Sequence, residues 1–298
     1  MTIKSGSDNI AQIDLTKELI LLDNVNMPFT SLLLKNGRQK ATSTVVSWDY
    51  ENLDTSRGLV YEGVDVASFQ ESDRTGGDSN KILQKAVSVS LTAQAVAVSA
   101  EHINDLFAHE LRNRILEIKR DLEYYLINGE KDDGTGTGDN AAPRQMSGLL
   151  EFVDEDNVTN PKKDLDLSYL QAMAKTMKQA GTASQNLLLL SGYDNFEIIA
   201  DLFKDSTYYQ GIQNEFGSPV QRLNLTYGSA ITYLVPDLDD KTTLLVNGDY
   251  LKIAELRPLA YHDLATTGSS RKGFIEMENT LKVLHPSAIV QFTTDTSV

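Results

Sequence analysis

A long amphipathic helix is the feature that most limits what this chain can fold into. Apolar residues recur every three or four positions from about Ala100 to Asn128, which is the repeat of a single helix face. The residues of this apolar stripe are Ile103, Phe107, Leu111, Ile115, Ile118, Leu122 and Tyr125. At about 1.5 Å per residue the helix would be roughly 40 Å long. Ser99 is placed to cap its start, and Gly129 stands where a left-handed C-terminal residue is favoured. We therefore predict a spine helix that the rest of the chain packs around.

Charged residues of both signs occupy the remaining faces of this helix. They are Arg112, Arg114, Lys119 and Arg120 with Glu110, Glu117, Asp121 and Glu123. Such a mixture is typical of a solvated helix face with ion pairs between neighbouring turns. The whole chain has 27 Lys and Arg against 42 Asp and Glu, a net charge of −15. Specific nucleic-acid binding needs clustered basic residues, so this class of function is not expected.

Composition removes several other classes of protein. The chain has no cysteine, which excludes disulfides and thiolate metal sites. Its longest apolar runs, 19–22 and 187–190, are far shorter than the roughly 18 residues of a membrane span. The first residues, MTIKSGSDN, lack the apolar stretch of a secretory signal. Synthesis in the cytoplasm, with no membrane partner, is the expectation.

Two segments around an acidic excursion predict an extended hairpin over residues 49–92. Residues 42–50 and 85–98 alternate between apolar and polar side chains, as strands do. Residues 51–79 between them are acidic and rich in turn residues, with too few apolar side chains for a core. The tip is therefore either mobile or docked on a neighbouring subunit. Arg57 and Arg74 are the only basic residues of the excursion and are candidates for intersubunit contacts.

The segments on either side have different expected roles. Residues 1–40 carry short apolar anchors separated by breakers such as Pro28, so this arm is expected to wrap another surface. Farther along, helix and strand patterns alternate and end in a C-terminal hairpin. One predicted helix spans 168–180 and ends at Gly181, and a second one, after residue 190, carries Phe196, Ile199 and Phe203. The predicted strands span 186–190, 230–235, 243–246, 250–254, 257–262 and 273–284.

No segment carries a recognisable catalytic or metal-binding motif. The glycines of 134–138 follow a helix and precede Pro143, whereas a phosphate loop follows a strand and opens a helix. Asp132, Asp133 and Asp139 lack the spacing of a calcium loop. We expect neither a metal nor a cofactor.

Histidine and serine chemistry are not indicated either. His102 and His109 have no further zinc ligands in a known spacing, and packing roles are favoured. Ser191 follows a strand, but the glycine frame of a nucleophile elbow is missing, so it is predicted to cap the next helix. The chain is not expected to be an enzyme.

Several motifs, in this order, resemble the major capsid proteins of tailed double-stranded-DNA bacteriophages, which have the Hong Kong 97-type fold. The matching motifs are Pro28-Phe29-Thr30-Ser31-Leu32-Leu33, Val46-Ser47-Trp48, Lys119-Arg120-Asp121-Leu122-Glu123 through Asn128-Gly129, Arg257-Pro258 through Leu264-Ala265, Thr267-Gly268-Ser269, Glu278-Asn279-Thr280-Leu281 and Pro286-Ser287-Ala288. The likeness is to a subfamily without a long N-terminal scaffolding segment. It adds Phe29 and Trp48 to the candidates for intersubunit contact.

The resemblance implies an α+β fold in five segments. These are an N-terminal arm (1–48), an extended hairpin loop (49–92), a peripheral domain with the spine helix (93–167), an axial α/β domain (168–254) and a C-terminal part of the peripheral domain (255–298). It also implies self-assembly into pentamers and hexamers of an icosahedral virion shell, in the host cytoplasm, around double-stranded DNA that is not bound specifically. Portal and possible decoration proteins are further implied partners.

The resemblance also bears on maturation and on the alternatives. Some capsids of this fold are cross-linked between a hairpin lysine and a peripheral asparagine, but residues 51–79 contain no lysine, so this chemistry is not expected. The arm begins close to Met1, so a separate scaffold protein is expected unless the shell assembles unaided. An encapsulin-type compartment of the same fold is the main alternative. A soluble α/β enzyme is a further one.

Overall fold

The structure is a computed structural model that describes residues 27–36, 38–48, 77–79, 81–99, 105–134, 142–183, 187–204, 209–215, 218–265 and 268–294. Its helices are α1 (Pro28–Asn36), α2 (Leu91–Ser99), α3 (Leu106–Asn128), α4 (Leu167–Gln179) and α5 (Tyr193–Lys204). Its strands are β1 (Arg38–Lys40), β2 (Val45–Ser47), β3 (Gly77–Ser79), β4 (Lys81–Ser90), β5 (Val158–Thr159), β6 (Leu187–Ser191), β7 (Tyr209–Glu215), β8 (Ser218–Leu225), β9 (Gly228–Leu234), β10 (Thr242–Asn247), β11 (Leu251–Leu264), β12 (Ser270–Val283) and β13 (Ile289–Thr293). No helix of the described ranges is long and apolar enough to cross a membrane.

The chain divides into two compact units. The smaller unit contains the described residues between 85 and 117 and between 261 and 275. Its core consists of Val87, Val89 and Phe107, with Leu106 and Leu111 packed against them. It therefore joins the end of β4, the first half of α3 and the tip of the β11–β12 hairpin.

The larger unit is built on a seven-stranded mixed sheet with the order β5-β13-β10-β6-β9-β8-β7. Its central strands β6 and β10 are buried along their whole length. Helix α4 covers the sheet through Leu170, Met173 and Met177, which are fully buried in the same cluster as Leu189 and Phe292. Gly181 ends α4 with a φ of 77°, and the N–H of Thr182 donates to the Met177 carbonyl at 2.9 Å. The predicted helix over 168–180 and its glycine stop are confirmed.

The predicted strand over 85–98 is wrong in its second half. Strand β4 ends at Ser90, and residues 91–99 form α2. The Ser90 hydroxyl accepts a hydrogen bond from the Ala93 N–H at 3.1 Å and so caps the new helix. The sequence LTAQAVAVS is compatible with a strand or a helix, and the cap formed by Ser90 favours the helix.

The spine helix is also shorter than predicted. Helix α3 begins at Leu106, because the Asp105 side chain accepts from the Ala108 N–H at 3.2 Å and caps it there. Residues 100–104 lie outside the described part of the chain. Ser99 is the last residue of α2, so its predicted role as the cap of the spine is wrong.

Gly129 ends α3 for a reason other than the predicted left-handed conformation. The described glycines with positive φ are Gly134, Gly181 and Gly268. Gly129 instead lies against Gly148, whose N–H donates to the Gly129 carbonyl at 2.7 Å. A methyl group at Gly129 would lie 2.5 Å from the Met146 carbonyl oxygen. The two glycines allow two backbone segments to approach more closely than side chains permit.

We expect Gly148→Ala to destabilise the subunit. The added methyl would lie 2.5 Å from the Ile127 carbonyl oxygen and 2.5 Å from the Gly129 nitrogen, and backbone atoms cannot rotate away. The loss should reach the upper end of the roughly 1–3 kcal/mol typical of overpacking, measured by urea unfolding of the unassembled subunit. Gly181→Ala is the control, because no atom lies within 4 Å of its new methyl. Only its left-handed backbone is strained, at about 1 kcal/mol. If both variants lost the same free energy of unfolding, the backbone around Gly148 would have room for a methyl group, contrary to this prediction.

Candidate assembly surfaces

Helix α1, which belongs to the predicted arm, is anchored to α3 by a buried carboxylate. Glu123 is fully buried and accepts a hydrogen bond from the Phe29 N–H at 3.1 Å and another from the Thr30 N–H. These donors belong to the first turn of α1, where an anion is favoured by the helix dipole. Phe29 itself is only 1% exposed. Residues 28–36 therefore pack inside their own chain, contrary to the predicted wrapping of another surface.

Burial sets the acidity of Glu123. Loss of solvent raises the pKa of its carboxyl from the ordinary 4.5 to about 7. The two N–H donors of α1 act in the opposite direction, and the nearby Asp237 carboxylate raises the pKa further. Glu123 was predicted to lie on the solvated face of the helix, which is wrong. Its neighbours Leu122 and Leu126 are buried as well, so this half of α3 is enclosed on more than one face.

Trp48 also lies within its own chain. It is 8% exposed, and its ring is 6.1 Å from the ring of Phe152 and 5.8 Å from the Lys282 ammonium. The packing of Phe29 and Trp48 is thus accounted for inside one subunit. Their role in intersubunit contact stays a prediction.

The base of the predicted hairpin loop is present. Strands β2 and β3 pair antiparallel, with Val45 opposite Ser79 and Ser47 opposite Gly77. The strand that returns is therefore Gly77–Ser79, and the predicted pairing with 85–98 is wrong. Arg57 and Arg74 lie outside the described residues, so their contacts stay predictions.

Ion pairs occupy the β12 side of the four-stranded sheet, which has the order β1-β11-β12-β4. The Arg144 guanidinium is 3.0 Å from the carboxylate of Glu278, which is almost completely buried. Arg257 forms a second pair with Glu276. Because each buried carboxylate has a cationic partner, these groups fit a structural role.

The residues considered for catalysis or metal binding are not brought together where they are described. Ser191 is fully buried at the end of β6, and its hydroxyl has no hydrogen-bond partner among the described residues. Helix α5 begins two residues later, so Ser191 is not its cap. The Asp132 carboxylate accepts from the Gly134 N–H at 2.8 Å within its own turn.

The histidines and Asp139 do not form a catalytic or metal-binding cluster within the described residues either. His109 contacts the Asn113 side chain at 3.3 Å, and His102 and Asp139 lie outside the described residues. The described ranges contain no group of three metal-ligating side chains.

The sequence matches the SU10 major capsid protein family over residues 2–296. The chain belongs to this family. Its function is that of a major capsid protein, a structural component of a phage virion. No curated protein matches the chain.

Solved capsid structures share the fold of this major capsid protein. It is similar to a chain of the cyanophage A-1(L) capsid asymmetric unit, with a TM-score of 0.69 and 13% identity over 95% of this chain and 96% of that one. The capsid of the native GTA particle matches with a TM-score of 0.60 and 14% identity, over 95% of this chain and 94% of that one. The SrpI encapsulin of Synechococcus elongatus PCC 7942 matches with a TM-score of 0.60 and 12% identity, over 99% of this chain and 96% of that one. The predicted α+β, Hong Kong 97-type capsid fold is confirmed.

Proposed function

We propose that this major capsid protein self-assembles into pentamers and hexamers of an icosahedral phage head that encloses double-stranded DNA. The observation that carries the proposal is the family match over residues 2–296, nearly the whole chain. The similarity to the cyanophage capsid chain, which extends over 95% of this one, supports the same role. The chain is a shell component and not an enzyme, and its net charge of −15 suits a wall that holds DNA without specific binding.

Each of the five sequence segments has a proposed role in the shell. Residues 1–48 are the arm, 49–92 the hairpin loop over an adjacent subunit, 93–167 and 255–298 the peripheral domain, and 168–254 the axial domain. The β2–β3 pair supports a hairpin, because it brings the two ends of the acidic excursion together. Strands β6, β7, β8, β9 and β10 of the seven-stranded sheet fall in the proposed axial segment, while β5 and β13 of the same sheet fall in the proposed peripheral domain. Assembly in the host cytoplasm with separate scaffold, portal and decoration proteins completes the proposal.

Electron microscopy with nuclease protection tests this function. Purified protein should form closed shells, and heads from infected cells should contain DNA that survives nuclease treatment. Sedimentation that shows only compact monomers under all assembly conditions would overturn the proposal.

An encapsulin-type compartment is the second candidate. The similarity to the SrpI encapsulin, which extends over 99% of this chain, favours it. Small shells that contain a co-purifying protein and no nuclease-protected DNA would decide for this alternative.

Charge reversal in the hairpin loop should weaken assembly without unfolding the subunit. Arg57→Glu and Arg74→Glu remove the only positive charges of residues 51–79. Exposed ion pairs contribute about 0–1 kcal/mol each, so we expect slower assembly in light scattering and an unchanged urea midpoint. Lys175→Glu is the control, because it reverses an exposed charge on α4. If both arginine variants assemble like this control, the arginines do not contribute to subunit contacts.

A further inference from the structure

Four polar side chains are buried together on the seven-stranded sheet of the larger unit. They are Ser191 of β6, Thr232 of β9, Thr243 of β10 and Asn195 of α5, and none of them is more than 1% exposed. Thr243 lies directly opposite Ser191. Thr232 lies opposite Leu189, which is two residues before Ser191. Residues two apart on a strand share a face, so the three hydroxyl side chains lie on one face of the sheet.

The same face is apolar farther along these strands. Leu187 and Leu189 of β6 and Leu245 of β10 belong there to one core cluster, together with Met173 of α4 and Ile199 of α5. A hydroxyl group in such surroundings has lost its bonds to bulk water, and its burial costs free energy unless another partner replaces them. Each hydroxyl of the cluster therefore needs a partner.

Two of the three hydroxyls have no such partner within the described ranges. The Thr243 oxygen accepts a hydrogen bond from the Asn195 side-chain amide at 3.0 Å. The hydroxyls of Ser191 and Thr232 form no hydrogen bond with any described residue. Neighbouring strands lie about 5 Å apart and two residues span about 6.6 Å, so the Cβ atoms of Ser191 and Thr232 are roughly 8 Å apart. At this separation the two hydroxyls are too far apart to bond each other directly.

The backbone around the start of α5 limits what can bind beside this cluster. The Gly192 N–H donates to the Thr242 carbonyl at 3.1 Å, and the Asn195 N–H donates to the Asp240 carbonyl at 3.1 Å. These N–H groups are therefore not available to an anion. A methyl group on Gly192 would collide with the Asp239 carbonyl oxygen, so the turn that contains Asp239 lies tightly against the start of α5. A ligand here must be small and uncharged, and it must both donate and accept hydrogen bonds.

We propose that one water molecule is bound between Ser191, Thr232 and Thr243 as a permanent part of the subunit. The water oxygen accepts the hydroxyl protons of Ser191 and Thr232. The water donates one proton to the Thr243 oxygen, which has a second lone pair beside the one that Asn195 uses. Three hydrogen bonds are the usual number for a buried water. Two bonds of about 2.8 Å through one water also bridge the separation that the hydroxyls cannot close alone.

The bound water would join three strands of the central sheet next to the first turn of α5. Ser191 is the last residue of β6, and α5 begins two residues later. The water therefore replaces, at the edge of an apolar core, the side-chain contacts that leucines make farther along the same face. All four residues belong to the larger unit of one chain, so the site needs no second subunit and does not depend on the proposed assembly.

Oxygen-17 magnetic relaxation dispersion on the unassembled subunit tests the proposal, because it counts the water molecules that stay bound inside a protein. The double variant Ser191→Ala with Thr232→Val removes both unpaired hydroxyls, and we expect it to hold one long-lived water fewer than the wild type. Thr176→Val is the matched control, since the Thr176 hydroxyl already donates to the Ala172 carbonyl at 3.1 Å on α4. The control should keep the wild-type number of waters. An equal number in the double variant and the wild type overturns the proposal.

Two further measurements keep the test decisive if the double variant does not fold. A density map of the wild-type protein, at a resolution that shows ordered waters, should contain one water within hydrogen-bond distance of Ser191 and Thr232. In urea unfolding, the double variant should lower the midpoint by less than the sum of the two single variants, because both hydroxyls bind the same water. A map in which these hydroxyls bond main-chain carbonyls with no water between them overturns the proposal, and so do additive midpoint shifts.

Discussion

Leu122→Ala should destabilise the unassembled subunit by about 2–5 kcal/mol, because it leaves a cavity in the most enclosed part of α3. Leu122 is 1% exposed, and Ile118 and Leu126, one turn away on either side, are fully buried. A closely packed interior relaxes only partly around a lost side chain, so the cost includes the cavity as well as the lost apolar transfer energy. Urea unfolding followed by circular dichroism measures the difference in the free energy of unfolding.

Leu111→Ala is the matched control, since it is the same substitution in the same helix. Leu111 is half-buried, at the edge of the small core around Phe107. The expected loss is at most about 1.5 kcal/mol, because less apolar surface returns to water. Both leucines belong to the apolar stripe predicted from the sequence, and the structure shows that Leu122 is more deeply buried than Leu111. A loss at Leu111 equal to that at Leu122 would contradict this ranking.

The sequence predicts those elements whose pattern is local. The apolar repeat of α3, the helix α4 with its stop at Gly181, and the β11–β12 hairpin are all found close to their predicted positions. Each has a long periodic run and a clear terminal residue, which are signals that neighbouring residues carry by themselves. The capsid fold itself was indicated by the resemblance of several motifs, in their order along the chain, to a known family.

The features that the sequence did not predict depend on contacts between distant segments. Glu123 is an ordinary helix-face glutamate by pattern, and only the arrival of Phe29, 94 residues earlier, makes it a buried anchor. Gly129 is explained by Gly148 and not by a helix-ending conformation. No periodicity encodes these pairs, so charge and glycine positions alone could not find them.

The candidate intersubunit residues show the same division. Phe29 and Trp48 were predicted to contact other subunits, but a sequence does not say whether an apolar side chain is buried by its own chain or by a neighbour. Within one subunit the structure supplies Glu123, Phe152 and Lys282 as their neighbours. Surfaces that assemble are therefore better sought among side chains that the folded subunit leaves exposed, such as Leu91 and Leu264.

The stability of the subunit should fall as the pH rises through neutrality, because Glu123 must then ionise in a buried position. Its pKa is about 7 in the folded chain, against an ordinary value of 4.5. A folded pKa above the unfolded one means that the contribution to stability is fully present below about pH 4.5 and is lost as the pH rises through about 7. A shift of this size corresponds to about 3 kcal/mol. The quantity measured is the free energy of unfolding of the unassembled subunit across this range.

Glu123→Gln isolates the effect of titration, because its amide does not titrate near neutrality. The Phe29 N–H donates to Oε1 and the Thr30 N–H to Oε2, so the single amide oxygen keeps only one of the two bonds, and the variant should lose some stability at every pH. Its stability should change less with pH than that of the wild-type protein. Between acidic and alkaline pH, the fall in the free energy of unfolding should be about 3 kcal/mol smaller in the variant than in the wild type. Glu117→Gln is the control on the same helix, since that carboxylate is partly exposed and paired with Arg114. It should leave the pH dependence between about pH 5 and 8 close to that of the wild type. If Glu123→Gln and the wild type lose stability in parallel, the ionised carboxylate is held by the α1 N–H groups at no net cost, and burial does not control its pKa.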